Sequence, residues 1–195
     1  MIRYLVTDRR RFGLSCAELT ARVARAARRG ATHVQIREPD LTDARLVRLA
    51  RDLLHAVSGT GVCVLVNDRA DVAVAAGTGG VHLPADSVPA SRVRAFVPTE
   101  FLVGRSVHSL DEIDRAVAEG GCNYLLFGTV FPSTGKPDGH PLAGIDGLRE
   151  ACARSPLPVI AIGGMTEARA PEVMAAGAAG LAGVGMFMYS GGANG

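Results

Sequence analysis

Eight short apolar runs of strand length, each but the last followed by a stretch of helical periodicity, constrain this chain more than any other feature. The runs are Tyr4–Val6, His33–Arg37, Val62–Val66, Val81–Leu83, Phe101–Val107, Tyr124–Phe127, Val159–Ile162 and Leu181–Val184. Helical stretches cover Ser15–Arg29, Leu41–Val57, Asp68–Ala76, Ser91–Phe96, Ser109–Glu119, Ile145–Ala153 and Thr166–Ala176. Gly30 and Gly77 close two of them, and Ser109 with Glu112 has the spacing of a capping box. Strands that alternate with helices build a parallel sheet, because parallel neighbours need a long crossover between them. Eight such units predict a closed (β/α)8 TIM barrel in preference to an open sheet. At 195 residues the chain falls a little short of the roughly 200 to 400 residues usual for that fold. The shortfall lies after Val184, where the eighth helix is expected to be lacking or shortened. That gap would leave apolar strand surface beside the first and seventh helices, so a homo-oligomer is expected to cover it. No linker divides the chain, and residues 1–195 are expected to form one domain.

Composition removes several function classes. Aromatic residues are 5% and Trp is absent, so the core must be built from Ala, Val, Leu and Ile. The net charge is only +2, and the two dense basic patches, Arg9-Arg10-Arg11 and Arg22, Arg25, Arg28 and Arg29, have no interleaved stacking aromatics. A nucleic-acid partner is therefore not expected. No apolar run approaches membrane-spanning length and the first residues read as a strand, so no membrane partner is expected and the cytoplasm is the expected compartment. Cys16, Cys63, Cys122 and Cys152 show no CxxC spacing, so neither a zinc site nor a redox pair is readable.

In a barrel of this kind the polar residues that follow each strand converge on one face. Here they include Asp8, Gln35, Arg37, Glu38, Asn67, Asp68, Arg69, His82, Asp86, Arg105, Ser106, His108, Thr129, Ser133, Thr134 and Lys136. Two glycine turns add a more specific signal. Ile162 runs into Gly163-Gly164 and then Thr166, and Gly183-Val184-Gly185 repeats the arrangement after the eighth strand. Backbone amides in such turns, backed by a helix N-terminus, suit an anion, and barrels commonly hold phosphate between the seventh and eighth loops. Lys136, the single lysine among 21 basic residues, sits in the hydroxyl-rich loop Ser133-Thr134-Gly135-Lys136. Its compact ammonium suits phosphate oxygens. Asp68 either caps the helix that follows it or holds Mg2+ through one oxygen.

These stretches resemble the thiamine phosphate synthase and thiazole tautomerase family over nearly the whole chain. The resemblance rests on Val34-Gln35-Ile36-Arg37-Glu38, Val66-Asn67-Asp68-Arg69-Ala70-Asp71-Val72-Ala73, Gly80-Val81-His82-Leu83, Phe127-Gly128-Thr129-Val130-Phe131-Pro132 and Ala161-Ile162-Gly163-Gly164-Met165. For a synthase it implies a pyrimidine diphosphate near Gln35, Arg37, Glu38 and Asn67, with Ser106 and Lys136 on its diphosphate and Asp68 on Mg2+. It also implies a thiazole phosphate held by Ser133, Thr134, Gly135, Gly163, Gly164, Val184 and Gly185.

Two departures point away from the synthase. Pro39 stands where a diphosphate-binding Lys is usual, and Ser87 falls in the register of a second metal carboxylate, which leaves Asp86 as its substitute. Leu83-Pro84, Gly104-Arg105-Ser106-Val107-His108-Ser109 and Leu125-Leu126-Phe127-Gly128 resemble the tautomerase branch more closely. That branch implies proton transfer on a thiazole carboxylate phosphate without a cofactor. Its general acid/base is a His at the position of Thr129 here, and a hydroxyl cannot shuttle protons near neutrality as imidazole does. His140, in the same loop, is the expected stand-in, with His108, Glu38 and Ser106 as further candidates. The lead expectation is a tautomerase-like barrel that binds a small phosphorylated thiazole. The alternatives are a Mg2+-dependent synthase that also takes the pyrimidine diphosphate, and a binding protein with neither activity.

Overall fold

The computed structural model describes residues 1–133, 137 and 139–186. Its strands are β1 (Ile2–Val6), β2 (His33–Ile36), β3 (Cys63–Asn67), β4 (Gly80–Leu83), β5 (Leu102–Val107), β6 (Tyr124–Phe127), β7 (Val159–Ile162) and β8 (Gly180–Gly183). They pair in parallel in sequence order, and β8 returns to β1 through Ile2↔Gly180 to Leu5↔Gly183, closing the barrel. The helices α1 (Cys16–Arg28), α2 (Asp43–Ala56), α3 (Ala70–Ala76), α4 (Ala90–Arg94), α5 (Leu110–Glu119), α6 (Gly144–Arg154) and α7 (Ala170–Ala175) connect successive strands. The (β/α)8 expectation is met. The tail in which an eighth helix was sought lies outside the described residues from position 187 onward, as do Thr134, Gly135 and Lys136.

Local chemistry explains the helix starts. Ser15 accepts the amide of Glu18 while the Glu18 carboxylate accepts the amide of Ser15, a full capping box. At α5 only half of this forms. Ser109 accepts the amide of Glu112, but the Glu112 carboxylate takes the His108 amide at 2.7 Å. α1 then buries Leu19, Val23, Ala26 and Ala27, and α2 buries Leu46, Leu49, Ala50 and Leu53, each a single stripe turned to the strands. One expectation needs correction. A three-residue 3-10 turn over Glu167–Arg169 precedes α7, so the helical positive end behind Gly163-Gly164 is shorter than the sequence suggests. Thr166 holds the cap position there without a side-chain cap bond.

Alternation along the strands separates two cores. The outward residues pack under the helices. The inward set, including Tyr4, Val6, Leu65, Tyr124, Leu126, Ile160 and Ala182, fills the barrel interior. With few aromatics in the chain, Tyr4 and Tyr124 are the largest side chains of that set. Gly104 makes room for one of them, since a Cβ at that position would come within 2.0 Å of Tyr124 Cζ.

Candidate active site at the barrel mouth

In a closed parallel barrel all strand C-termini share one rim. Asp8, Gln35, Asn67, Ser106, Thr129 and Gly164 therefore meet at one mouth, though they are distant in sequence. Gln35 and Ser106 point inward from β2 and β5, and Asn67 closes β3. The Gln35 amide donates to Asn67 Oδ1 at 2.7 Å and accepts the Tyr4 hydroxyl at 3.2 Å. Ser106 Oγ lies 2.8 Å from Nε2 of His82. Burial, with the Arg105 charge nearby, pushes His82 down to about 3, so its ring is neutral at physiological pH.

Asp68 does not cap α3. The cap position belongs to Arg69, whose side chain turns outward to Asp43 and Asp71. Asp68 instead takes the left-handed backbone conformation, φ 63°, its amide donating to the His82 carbonyl at 2.8 Å. A non-glycine residue rarely adopts that conformation. Its exposed carboxylate accepts the Ser87 hydroxyl at 2.5 Å. The residue in the register of a second acid thus serves the first one through a hydrogen bond. Asp86, beside it, is exposed. Among the described residues no three His, Cys, Asp or Glu side chains cluster as a metal site.

Arg105 was expected at the mouth, but its position in β5 turns it to the outside. There the buried guanidinium donates to the carbonyls of Val88 at 2.7 Å, Ala85 at 2.8 Å and Ser87 at 3.1 Å. It is a clamp on the β4 loop and fixes Ser87 against Asp68. Glu38 is buried on the rim, where its carboxylate accepts the Arg9 amide at 3.0 Å and faces the Arg9 guanidinium at 3.6 Å. Burial raises its pKa, opposed by the bonds from Thr7 and Arg9. The basic run at Arg9 is thus spent in part on internal pairing, Asp40 being a second partner of Arg9. Arg37 is exposed at the rim, its amide anchored on Thr7 Oγ1 at 3.0 Å.

On the opposite side of the mouth, the loop after β6 is laced to the end of β7. The amides of Val130 and Phe131 donate to the carbonyls of Ile162 at 3.0 Å and Gly163 at 3.2 Å. Gly164 needs to be glycine twice over: its φ is 63°, and a Cβ would meet the Pro132 carbonyl oxygen at 2.4 Å. Arg169 caps this corner, lying 4.1 Å over the Phe131 ring and donating to the Gly164 carbonyl. Val184 and Gly185 follow β8 on the same rim, and Ser133 is the last described residue of the β6 loop before position 134. Thr129 is buried, with its hydroxyl 3.2 Å from His140 Nε2. His108 Nδ1 instead faces the Gly128 carbonyl and ties β5 to β6. Sequence reasoning missed Tyr4 and Tyr124, whose hydroxyls meet at 2.9 Å beneath the mouth. Their shared inward parity, in a chain so poor in aromatics, was the available signal.

The described chain contains no helix long and apolar enough to cross a membrane. A protein-family model described as thiamine monophosphate synthase matches residues 3–187. A thiamine-phosphate synthase of Roseiflexus sp. is 39% identical over 93% of this chain and 75% of its own length. One of Methanocella arvoryzae is 40% identical over 92% of this chain and 83% of its own. The solved thiamine phosphate pyrophosphorylase of Pyrococcus furiosus superposes with a TM-score of 0.83 at 29% identity, over 96% of this chain and 88% of that one. With the model match spanning the barrel from β1 past β8, this chain belongs to the thiamine monophosphate synthase family.

Proposed function

We propose that this chain is a thiamine phosphate synthase, which joins a pyrimidine methyl diphosphate to a thiazole phosphate and releases pyrophosphate. The similarity to named synthases over more than nine-tenths of the chain weighs toward this reading and away from the tautomerase that the β4 and β5 motifs suggested. The observation that carries it in the site is Asp68, whose carboxylate stands on the same rim as the Gln35–Asn67 pair and the Gly163-Gly164 turn. Magnesium in such sites takes one or two carboxylates and completes its shell with phosphate and water. One acid, Asp68, with Ser87 and Asp86 beside it, fits an ion that relies on the diphosphate for its other ligands. When bound, the ion would neutralise charge that builds on the departing pyrophosphate.

In this reading Gln35 and Asn67 orient the pyrimidine, while Arg37, Ser106 and Lys136 hold its diphosphate. Ser133, Thr134, Gly135, Gly163, Gly164, Val184 and Gly185 hold the thiazole phosphate. The bond from the methyl carbon to the diphosphate oxygen breaks, and the thiazole nitrogen bonds to that carbon. Glu38 then keeps the β1 loop in place through Arg9 and touches no reacting atom. We also take residues 1–195 as one domain that acts in the cytoplasm as a homo-oligomer.

The test is pyrophosphate release from both substrates with and without Mg2+, in the natural chain and in Asp68→Asn. The synthase reading expects Mg2+-dependent release that falls at least about tenfold in the variant, the scale of one interaction with a charged group. A tautomerase is favoured by one observation, the 3.2 Å approach of His140 Nε2 to Thr129 Oγ1. Metal-independent isomerisation of the thiazole carboxylate phosphate, abolished by His140→Ala, with no pyrophosphate released, would overturn the synthase reading in its favour. Binding of the phosphates without either turnover would leave a binding protein.

A further inference from the structure

Beneath the mouth, five hydrogen bonds run in series through the barrel interior. Asn67 Oδ1 lies 2.7 Å from Gln35 Nε2, and Gln35 Oε1 lies 3.2 Å from the Tyr4 hydroxyl. Tyr4 lies 2.9 Å from the Tyr124 hydroxyl, Tyr124 lies 3.2 Å from His82 Nδ1, and His82 Nε2 lies 2.8 Å from Ser106 Oγ. Tyr4, Gln35, His82 and Tyr124 are all less than 5% exposed. The two ends, Asn67 and Ser106, stand on the rim. We infer that Tyr4, Tyr124 and His82 are positioning residues forming a bridge that couples the orientation of the Gln35–Asn67 amides to that of the Ser106 hydroxyl.

The protons available fix the direction of every link. Each tyrosine has one hydroxyl proton and a neutral imidazole has one N–H, so each member of the bridge donates once. Burial holds both tyrosines protonated, and a hydroxyl at each ring nitrogen of His82 gives a neutral imidazole one partner to donate to and one to accept from. Suppose Gln35 donates to Asn67. Its oxygen then accepts from Tyr4, Tyr4 accepts from Tyr124, Tyr124 accepts from His82 Nδ1–H, and His82 Nε2 accepts the Ser106 proton. Asn67 then offers N–H donors to the mouth, and Ser106 offers only lone pairs. A half-turn of both amides reverses every link. Asn67 then presents its carbonyl oxygen, His82 carries its proton on Nε2, and Ser106 turns its O–H outward.

The second state matches a ligand with an amino group at Asn67 and an anion at Ser106. An amino-bearing heterocycle should therefore favour the anion, and the anion the heterocycle, because each selects the same direction of the bridge. Reversal in a buried chain is all or none, since a mixed state leaves a buried donor or acceptor unmet. This inference rests on the reading of Gln35, Asn67 and Ser106 as substrate contacts.

The probes are 4-aminopyrimidine and inorganic pyrophosphate with Mg2+, titrated calorimetrically one at a time and each in the presence of the other. Saturating aminopyrimidine should tighten pyrophosphate binding at least about fivefold, the lower range of coupling between sites. Tyr124→Phe and Tyr4→Phe keep the rings and remove the links, so pyrophosphate should still bind in folded variants while the enhancement falls to about onefold. In 15N-histidine protein, with His82→Gln used for assignment, the two probes together should move the His82 proton from Nδ1 to Nε2. Binding of both probes without enhancement, enhancement that survives both phenylalanine variants, or an unmoved tautomer would overturn the bridge alone. If neither probe binds the natural protein, the site reading falls and the bridge with it.

Discussion

Replacing Gly104 by alanine should change sign with the residue that faces it. Gly104 and Tyr124 are register partners across β5 and β6. The added methyl would lie 2.0 Å from Tyr124 Cζ and 2.3 Å from its hydroxyl, against about 3.5–4.0 Å for an ordinary contact. The ring must therefore move by roughly 1.5 Å. That is enough to break its bonds to Tyr4 and His82, which are already 2.9 and 3.2 Å long. Overpacking costs about 1–3 kcal/mol. A buried hydroxyl left unmet costs about 1–3 kcal/mol more. Against these, the backbone at Gly104 does not need a positive φ, so alanine gains about 0.4–1 kcal/mol from the unfolded chain. The net expectation is a loss of roughly 1–5 kcal/mol, with Tm falling about 2–4 °C for each kcal/mol in a domain of this size. In a Tyr124→Leu background the obstructing ring is gone, and Gly104→Ala should be neutral or stabilising by up to about 1 kcal/mol. Urea unfolding of the four proteins, followed by far-UV circular dichroism, closes the cycle. An equal loss in both backgrounds would refute the reasoning, because it would mean that the glycine is needed for its backbone and not for the space it leaves.

His82 makes stability depend on pH with a definite sign. Its folded value is pushed down to about 3 from 6.5, so its contribution is complete above pH 6.5 and is lost as pH falls toward 3. Between those limits the loss approaches about 1.4 kcal/mol per pH unit. His82→Gln should flatten the unfolding free energy over that window by this amount, and parallel curves for the two proteins would show that the imidazole is protonated without cost. Ser87→Asp returns a second carboxylate beside Asp68, and it should lower the half-saturating Mg2+ concentration for pyrophosphate release by roughly tenfold, since ligand charge tunes such sites. An unchanged requirement would place the ion away from Asp68.

The barrel was legible in the sequence because its signals are local. The two-residue period of Tyr4–Val6 and Tyr124–Leu126, the helical stripes of α1 and α2 and the cap at Ser15 each act within a few residues of chain. The rim followed from the order of strands alone, and with it the meeting of Gln35, Asn67, Ser106, Thr129 and Gly164. Side-chain direction at the rim was not legible. Arg105 and Ser106 are adjacent, and only the pleat of β5 decides which enters the barrel and which clamps the β4 loop. From its neighbours alone Asp68 could be a helix cap or a metal ligand, but the bond from its amide to the His82 carbonyl and the Ser87 hydroxyl on its carboxylate hold it at the mouth. The bridge from Asn67 to Ser106 was beyond any local pattern. It joins residues 120 positions apart at Tyr4 and Tyr124, and hydrogen bonds at that separation exist only once the eighth strand has closed on the first.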